Sequence, residues 1–442
     1  MNTAVIIAGG KGTRMGERGR RVPKALLPIA GKPLLEYQLN LLKSHGFKNV
    51  FILTNHLGEH IEKFCGNGSR FGLSIRCLSE DLPLGTAGAV KSAEKHLTTD
   101  FLVLYGDELM QVDLKRLLAF HARQKVKHKT LVGTLAVHPN DHPMDSNLVE
   151  MSSDNLILSF LTKPHSPELW FRNLVSTPLY VLTPKIFEYI PEGTHADFGR
   201  DVFPNTLRTQ KNSFVAYFTP EYIKDIGTPE RLREVNRDVR SGRFGKMSLQ
   251  HKRPAIFLDR DGVINKEVGN LHHPQDFELL PDVAKAIQSI NASDYFAVVI
   301  SNQPVVAKGL CSFDDVLHIH KKMETLLGRE GAKLDGIYFC PHHPDKGFKG
   351  ENKKYKIACD CRKPKTGMLE RAVKELNIDV KKSYFVGDSL RDAETAGNAR
   401  VPFVGVKTGY GCKDIDVAST KNRIPITLKK DLLRAVNFIL RK

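Results

Sequence analysis

Two carboxylates and two pairs of metal-ligating side chains mark the second half of this chain as a region where chemistry can occur. Asp259 and Asp261 follow the apolar run 256–258, and the next residue is a glycine. A carboxylate at a strand end can attack a phosphorus atom, move a proton or bind a divalent cation. Further on, sixteen residues separate two close ligand pairs, Cys340 with His342 and Cys359 with Cys361. Three thiolates and one imidazole suit a closed tetrahedral site for a structural Zn²⁺.

A second group of candidates lies at the N-terminus, where a predicted strand runs into a glycine-rich loop. Glycines let backbone N–H groups approach phosphate oxygens, and Arg14 and Lys24 add positive charge beside the loop. The candidate phosphate-binding residues are Gly9, Gly10, Gly12 and Thr13. The spacing differs from G-x-x-x-x-G-K followed by Ser or Thr, so a P-loop kinase is disfavoured. Two such distant motifs, each with its own downstream partners, predict two enzymes on one polypeptide.

Length and composition are those of a globular chain with more than one domain. At 442 residues, with 41% hydrophobic and 26% charged residues, the chain suits two α/β domains. The net charge of +17 is spread over both halves, whereas a nucleic-acid binder more often concentrates it in a stripe or tail. The charge balance therefore favours small polyanionic substrates over a nucleic-acid partner, while a salt-dependent contact with RNA or a membrane stays open.

Targeting and redox signals favour the cytoplasm. No apolar run reaches membrane-spanning length, and residues 1–8 lack a basic region followed by a cleavage site. We therefore expect neither a membrane segment nor a signal peptide. Seven cysteines in a long chain, three of them in the metal-like cluster, do not resemble a disulfide framework. A reducing cytoplasm is the simpler setting.

Strands and amphipathic helices alternate along the chain, which predicts mostly parallel sheets covered by helices on both faces. The predicted elements of the first half are strands Thr3–Ala8, Asn49–Leu53 and Phe101–Tyr105 and helix Leu34–His45. The predicted strands of the second half are Pro254–Leu258, Phe296–Ile300, Gly336–Phe339 and Ser383–Val386. A polar segment interrupts the pattern, so we predict domains at 1–240 and 254–442, joined by a linker at 241–253.

Across about residues 1–235 the chain resembles the sugar-1-phosphate nucleotidyltransferases. The matching segments are Ala8-Gly-Gly-Lys-Gly-Thr-Arg14 with Pro23-Lys24, Leu84-Gly-Thr-Ala-Gly-Ala89, Tyr105-Gly-Asp-Glu108, Thr162-Lys163-Pro164 and Asp225-Ile-Gly-Thr-Pro-Glu230. The resemblance implies that Asp107 and Asp225 bind Mg²⁺ and that Arg14 contacts the triphosphate. It also implies a base-binding loop with Gly85 and Thr86. Lys24 and Lys163 would stabilise charge on the reacting phosphates.

Two departures from this family concern the sugar. Thr162 stands where the family usually has Glu before its Lys-Pro pair. Val175-Ser-Thr177 replaces an Asn-Ala-Gly segment that faces the sugar. These differences affect the predicted contacts to the sugar more than they affect the predicted reaction.

Four segments of the second half form an ordered set, three of them after predicted strands: Asp259-Arg-Asp-Gly262, Ser301-Asn-Gln303, Lys363 and Gly387-Asp-Ser389. With these segments the chain resembles, across about residues 254–412, the haloacid-dehalogenase superfamily of phosphatases. The resemblance implies that Asp259 is a nucleophile that forms an aspartyl-phosphate. Asp261 would be the general acid/base, and its backbone carbonyl would also bind Mg²⁺. The other implied residues are Ser301 and Lys363 for phosphoryl orientation, Asn302 for substrate contact, and Asp388 for Mg²⁺, with Asp392 in support.

The cysteine–histidine loop narrows this resemblance to the D-glycero-D-manno-heptose-1,7-bisphosphate 7-phosphatases. The segments that agree are Asp276-Phe-Glu-Leu-Leu-Pro281, Ser301-Asn-Gln-Pro304, Lys308-Gly309 and Cys361-Arg-Lys-Pro364. Histidinol-phosphate phosphatases share much of this pattern and stay as the alternative. The implied fold is α/β with two Rossmann-like domains, an N-terminal nucleotidyltransferase fold and a C-terminal haloacid-dehalogenase-like fold with a zinc loop.

The two resemblances fit one pathway of activated heptose synthesis for a surface polysaccharide. The phosphatase would remove the 7-phosphate of a heptose bisphosphate, and the N-terminal domain would transfer NMP to the heptose 1-phosphate. The family context favours GTP and the α-anomer. One alternative is a hexose-1-phosphate nucleotidyltransferase fused to a histidinol-phosphate-type phosphatase, and another is a regulatory nucleotide-sugar-binding protein. We expect Mg²⁺ at both sites and one structural Zn²⁺. Whether the chain forms a homo-oligomer stays open.

Overall fold

The computed structural model describes residues 1–10, 12–15, 17–80, 82–415 and 426–441. The chain divides into two units. The first consists of Met1–His138, Asn147–Thr162 and Leu174–Ser248, and the second of Pro139–Ser146, Lys163–Asn173 and Leu249–Lys442. None of the helices in the described part of the chain is long and apolar enough to cross a membrane.

A mixed sheet forms the centre of the first unit. The strands of this unit are β1 (Thr3–Ile7), β2 (Pro28–Ile29), β3 (Lys32–Pro33), β4 (Asn49–Thr54), β5 (Ser74–Ser79), β6 (Phe101–Tyr105), β7 (Glu108–Gln111), β8 (Gly133–His138), β9 (Leu148–Met151), β10 (Ile157–Leu161), β11 (Val175–Leu182), β12 (Phe214–Phe218) and β13 (Tyr222–Asp225). Its helices are α1 (Glu17–Arg21), α2 (Leu34–Ser44), α3 (Gly58–Cys65), α4 (Gly85–Ser92), α5 (Leu114–Lys127), α6 (Phe203–Thr209), α7 (Pro229–Arg240) and α8 (Arg243–Lys246). The sheet runs β10-β9-β11-β6-β1-β4-β5, with β8 and β12 attached through β11.

The parallel part of this sheet follows from strands that are apolar on both faces. Ala4, Val5 and Ile6 of β1 are fully buried. Val5 enters one core cluster, whereas Ala4 and Ile6 enter another, because successive side chains of a strand point to opposite faces. Strands β6, β1, β4 and β5 are parallel, as predicted. Strands β9, β10 and β11 depart from that prediction, because β9 and β10 pair antiparallel and β11 runs antiparallel to β6.

The second unit contains a six-stranded sheet that is parallel throughout, as the alternation of strands and helices predicts. Its order is β16-β15-β14-β17-β18-β19. These strands are β14 (Ala255–Leu258), β15 (Phe296–Asn302), β16 (Gly336–Cys340), β17 (Tyr384–Gly387), β18 (Phe403–Val406) and β19 (Thr427–Lys429). The helices are α9 (Val283–Asn291), α10 (Phe313–Arg329), α11 (Gly367–Leu376), α12 (Leu390–Asn398) and α13 (Leu432–Leu440). Every residue of β14 is fully buried, so this central strand holds the backbone that leads to Asp259 in place.

Two segments from the first half of the sequence, 139–146 and 163–173, belong to the second unit. Phe171 is fully buried, and its N–H donates to Oγ1 of Thr325 on α10 at 2.9 Å. A Cβ on Gly328 of α10 would lie 2.5 Å from Cγ of Pro143. No local pattern in these segments signals such long-range packing, and the domain limits 1–240 and 254–442 stay a prediction.

We expect Phe171→Ala to destabilise the second unit, because truncating a buried phenylalanine costs about 3–5 kcal/mol. Heating the full chain and recording the loss of phosphatase activity with temperature would measure the change in stability. Leu428→Ala is the control, because this β19 side chain is half-exposed. Equal stability of both variants would show that the 163–173 segment adds little to the unit.

Candidate functional sites

The first candidate site lies at the carboxyl ends of β1 and β6. Tyr105 pairs with Ile7, and the N–H of Gly106 donates to the Ile7 carbonyl at 2.8 Å. A Cβ on Gly106 would lie 3.0 Å from Cβ of Ala8, so the two loops after these strands run close together. Ligand sites of open α/β sheets form at such carboxyl ends.

The glycine-rich loop after β1 has the backbone freedom that the sequence predicts. Gly12 has a φ of 64°, in the left-handed region that favours glycine. A Cβ on Gly9 would lie 3.2 Å from Cβ of Asn55, so this position is tightly enclosed. Gly10 faces open space among the described residues, and Thr13 begins a short helical turn.

Lys24 and Asp107 form an ion pair at this site. The ammonium nitrogen of Lys24 lies 2.9 Å from Oδ2 of Asp107, and both side chains are partly buried. The structure therefore brings together a predicted catalytic lysine and a predicted metal ligand. Fixed positive charge there is suited to stabilising charge that develops on a reacting phosphoryl group.

Asp225 is brought beside this pair by the two-stranded sheet of β7 and β13. Asp225 pairs with Glu108, and the N–H of Ile226 donates to the Asp107 carbonyl at 3.0 Å. The Arg231 guanidinium donates to Oδ2 of Asp225. Two carboxylates near a phosphate-binding loop fit Mg²⁺, which is commonly held by one or two carboxylates together with substrate phosphates.

Arg14 reaches the same region from the N-terminal loop. A Cβ on Gly227 would lie 3.0 Å from Nη2 of Arg14, so a glycine leaves room for this guanidinium. Glu108 is a buried carboxyl group that sequence reasoning did not single out. Burial, followed by the charges of Asp107 and Asp225, raises the pKa of Glu108 well above its ordinary value. Its position directly after a predicted metal ligand was the only available signal.

Gly85 and Thr86 open α4 and are held by a segment around residue 196. A Cβ on Gly85 would lie 2.5 Å from the carbonyl oxygen of Ala196, and the φ of Gly85 is 74°. The Thr86 hydroxyl donates to Oδ2 of Asp197 at 2.8 Å. Asp197 thus orients the predicted base-binding loop, a role that no sequence motif indicated. Lys163 lies in the second unit, where its ammonium group donates to the Asp145 carbonyl at 2.7 Å.

The second candidate site lies at the carboxyl edge of three adjacent strands. Asp259 follows β14, Ser301 lies near the end of β15, and Asp388 follows β17. Because β14 pairs with both β15 and β17, these side chains share one edge of the sheet. Oxygen atoms of Asp259, Asp388 and Asp392 all lie within 4.8 Å of one another. Such an oxygen donor set fits Mg²⁺.

Lys363 lies among these carboxylates. Its ammonium nitrogen is 2.9 Å from Oδ1 of Asp259 and 2.7 Å from Oδ1 of Asp392. The backbone of Lys363 is held by Asn302, whose Oδ1 accepts from the Lys363 N–H at 2.9 Å. Nδ2 of Asn302 donates to the Lys363 carbonyl at 3.1 Å. Asn302 therefore positions the lysine in this structure, and its substrate contact stays a prediction.

Asp261 is held by a buried polar network close to Asp259 in the sequence. The Arg260 guanidinium donates to both carboxylate oxygens of Asp261, and Nε2 of Gln303 donates to Oδ2 at 2.7 Å. Nε2 of Gln303 also donates to Oγ of Ser301 at 2.8 Å. Burial alone would raise the pKa of Asp261, but Arg260 and these hydrogen bonds hold it below its ordinary value. Arg260 is fully buried, and sequence reasoning gave it no role.

The pKa values of Asp259 and Asp388 are raised instead of lowered. Burial and the charge of Asp392 raise the pKa of Asp259 well above its ordinary value. Burial raises the pKa of Asp388 to about 7. A Cβ on either Gly262 or Gly409 would come within 2.0 Å of Oδ2 of Asp388, so glycine is required at both positions. A divalent cation among the carboxylates would relieve their mutual repulsion.

Cys340, His342, Cys359 and Cys361 converge as the sequence predicts. Their sulfur atoms lie 3.2–3.5 Å apart, and Nδ1 of His342 is 3.3 Å from Sγ of Cys361. In a tetrahedral site with Zn–S bonds of about 2.3 Å, sulfur atoms would lie roughly 3.8 Å apart. Hydrogen bonding from Cys340 lowers the pKa of Cys361 to about 5, which favours the ligating thiolate form. Four protein ligands fit a structural zinc site.

Comparison with known proteins separates the chain into two matched parts. The family model for nucleotidyl transferases matches residues 3–242, and a HAD-hydrolase-like model matches residues 360–426. D-glycero-beta-D-manno-heptose-1,7-bisphosphate 7-phosphatase from Photorhabdus laumondii is 41% identical over 157 residues, which are 35% of this chain and 81% of that protein. The chain belongs to the nucleotidyl transferase family and, in its C-terminal part, to the heptose-bisphosphate 7-phosphatase family. Both predicted families are thereby confirmed.

Two further similarities are to a sugar nucleotidyltransferase and to a solved structure. UTP–glucose-1-phosphate uridylyltransferase from Synechocystis sp. is 30% identical over 328 residues, covering 72% of this chain and 76% of that protein. The crystal structure of HddC from Yersinia pseudotuberculosis complexed with GMP-PN is 24% identical to this chain. The match covers 54% of this chain and 100% of HddC, with a TM-score of 0.45.

We expect one Zn²⁺ per chain, and we expect Cys359→Ser to lose it, because a hydroxyl is a much poorer zinc ligand than a thiolate. Elemental analysis of the purified full chain would give the stoichiometry. Cys311→Ser removes a partly buried cysteine outside the cluster and should keep the metal. A folded wild-type chain that contains no zinc would contradict the assignment.

Proposed function

We propose that this chain performs two consecutive reactions on a phosphorylated heptose. The C-terminal part removes the 7-phosphate of D-glycero-D-manno-heptose 1,7-bisphosphate. The N-terminal part then transfers NMP from an NTP to heptose 1-phosphate and releases pyrophosphate. The observation that supports this most strongly is the cluster of Asp259, Lys363, Asp388 and Asp392, found in a chain that is 41% identical over 157 residues to a heptose-bisphosphate phosphatase.

In the phosphatase reaction, a carboxylate oxygen of Asp259 attacks the phosphorus atom and the sugar oxygen leaves. Asp261, which its lowered pKa keeps ionised before the reaction, takes a proton from the phosphate monoester and passes it to the leaving sugar oxygen. Water then attacks the phosphorus atom of the aspartyl-phosphate, Asp261 accepts a proton from that water, and the bond to Asp259 breaks to release phosphate and regenerate the carboxylate. Lys363 and Ser301 orient the phosphoryl group. Asp259, Asp388 and the Asp261 carbonyl would hold Mg²⁺.

In the transfer reaction, a phosphate oxygen of the sugar 1-phosphate attacks the α-phosphorus of the NTP, and pyrophosphate leaves. Asp107 and Asp225 would hold Mg²⁺, which at both sites supplies positive charge opposite the phosphoryl oxygens. Arg14 contacts the triphosphate, while Lys24 stabilises charge on the reacting phosphates. The ion pair between Lys24 and Asp107 keeps both groups in one place, which argues against a decayed, purely regulatory site.

We propose GTP as the nucleotide. A second candidate is UTP with a hexose 1-phosphate, which the similarity to a UTP–glucose-1-phosphate uridylyltransferase favours. Mass spectrometry of products from each of four NTPs, with α- and β-heptose 1-phosphate and glucose 1-phosphate, distinguishes the two. GDP-heptose as the main product supports the first candidate, and UDP-hexose supports the second.

We expect Asp259→Asn to reduce phosphatase activity to background, because an amide lacks the nucleophilic carboxylate. Nucleotidyl transfer should continue when heptose 1-phosphate is supplied directly. Phosphate release and pyrophosphate release, measured separately on the full chain, report the two reactions. Loss of both activities in a folded variant would contradict two independent active sites.

We expect Asp107→Ala to lower nucleotidyl transfer roughly a hundredfold or more, because a carboxylate that stabilises charge through Mg²⁺ is lost. Phosphate release should be unchanged, so that heptose 1-phosphate accumulates from the bisphosphate and NTP. Asp154→Ala is the control, because Asp154 is an exposed carboxylate paired only with Lys127 among the described residues. Normal NDP-sugar synthesis by Asp107→Ala would refute the metal assignment, and accumulation of the bisphosphate would reverse the proposed order.

A further inference from the structure

We propose that His320 on α10 is a positioning residue for the phosphatase reaction, because it holds the Arg260 guanidinium that in turn holds Asp261. Residues 171–173, which come from the first half of the sequence, keep α10 in the place that this contact requires. The inference rests on the proposed phosphatase function and goes beyond it, since His320 would act through Arg260 rather than on the substrate.

Arg260 is a fully buried cation whose guanidinium meets three side chains. Its Nη2 donates to the two carboxylate oxygens of Asp261 at 2.8 and 2.9 Å and to Oε1 of Gln303 at 2.9 Å. Its Nη1 lies 3.3 Å from Nε2 of His320, which is the acceptor for this nitrogen in the described part of the chain. A buried donor that loses its acceptor is costly, so removal of the imidazole would leave one end of the guanidinium unsatisfied.

The surroundings of His320 keep its imidazole neutral. The side chain is buried, and its ring lies edge-on to that of Phe339 with the centroids 5.0 Å apart. Burial, followed by the charges of Arg260 and Arg172, lowers the pKa of His320 well below its ordinary value. A neutral imidazole has one accepting nitrogen, and the contact with Arg260 assigns that role to Nε2 and the proton to Nδ1. His320 therefore offers Arg260 an acceptor instead of a second positive charge.

The next turn of α10 is fixed by the segment from the first half of the sequence. The N–H of Asn173 donates to Oε1 of Glu324 at 3.3 Å, and the N–H of Phe171 donates to Oγ1 of Thr325 at 2.9 Å. Both acceptor side chains are buried. Glu324 lies four residues after His320, so the two side chains share one face of the helix. A shift of α10 along or about its axis would therefore carry the imidazole away from its partner.

The reaction step that depends on this arrangement is proton transfer. Asp261 gives a proton to the leaving sugar oxygen and takes one from water, and both transfers need the carboxylate within hydrogen-bond reach of the reacting oxygen. Substrate binding uses other groups, among them Ser301 and Lys363. Displacement of Arg260 should therefore lower kcat and leave KM unchanged, a pattern that general loosening of the fold would not produce.

The test compares His320→Phe with His320→Gln in the full chain, using steady-state phosphate release from heptose 1,7-bisphosphate with Mg²⁺. Phenylalanine fills the space of the ring without an acceptor, whereas the side-chain oxygen of glutamine can take the place of Nε2. We expect His320→Phe to lower kcat roughly tenfold with unchanged KM, and His320→Gln to recover most of that loss. Ile319→Val is the matched control, because it trims a fully buried neighbour on α10 that packs in the apolar core. It should keep the wild-type kcat.

A second variant tests the support of α10. Thr325→Val keeps the volume of the side chain but removes the hydroxyl that accepts from the Phe171 N–H. We expect kcat to fall roughly threefold with unchanged KM, because the helix shifts less than the imidazole contact is lost in His320→Phe. A wild-type kcat in this variant would show that the segment from the first half does not position α10.

The outcomes separate the inference from the proposed function. If His320→Phe keeps the wild-type kcat, or if a folded His320→Gln is as slow as His320→Phe, the acceptor role of the imidazole is wrong while the phosphatase function stands. A raised KM with unchanged kcat also overturns the inference, because it places the effect on substrate binding. A wild type that releases no phosphate from the bisphosphate refutes the proposed function and this inference with it.

Thermal unfolding of each variant identifies a loss of activity that comes from misfolding. Should His320→Phe not fold, His320→Asn takes its place, because its shorter amide remains polar but does not reach the position of Nε2. The same fall in kcat is expected of it, and wild-type turnover by His320→Asn would overturn the inference.

Discussion

The phosphatase site depends on the ion pairs that the buried ammonium group of Lys363 forms with carboxylates. Its side chain is 2% exposed and that of Asp392 is 0% exposed, so neither charge is solvated by bulk water. An unpaired buried charge costs several kcal/mol, whereas Lys363 has carboxylate partners in both Asp259 and Asp392. Burial acts to lower the pKa of Lys363, but the two carboxylates outweigh it and raise the pKa. The pairing thereby holds Asp259 and Lys363 together.

The first unit uses the same arrangement with less burial. Lys24 pairs with Asp107, which lies two residues after the end of β6 in the parallel part of the sheet. In each unit, a lysine lies against a carboxylate that the sequence assigns to metal binding or nucleophilic attack. Strand ends position the carboxylate, because parallel neighbours finish at one edge, and a loop delivers the lysine. Two different folds therefore provide phosphoryl chemistry with one electrostatic arrangement.

The sequence was sufficient to predict residues that lie close to a recognisable strand or in closely spaced ligand pairs. Asp259 and Asp388 could be predicted because each directly follows an apolar strand, and Asp107 because it lies two residues after one. The convergence of the three cysteines and His342 could be predicted because their spacing is distinctive. The antiparallel direction of β11 could not be predicted, because its partner β6 lies about seventy residues away. The residue pattern of a strand does not indicate whether it pairs parallel or antiparallel. Glu108 and Arg260 were missed because a buried charge has the same sequence appearance as an exposed one. Phe171 was missed because its partner on α10 is remote in sequence.

The zinc cluster and the phosphatase site are joined through consecutive residues. Cys361 belongs to the cluster, and Lys363, two residues later, pairs with Asp259. A metal ion held by Cys359 and Cys361 would restrict the backbone immediately before the lysine, and Asn302 restricts it at the lysine itself. A tetrahedral metal with four protein ligands has no open position for substrate, so the contribution of a zinc ion here would be geometric. It would keep Lys363 in a fixed place beside Asp259, and the loop would then affect the phosphatase reaction as well as the stability of the fold.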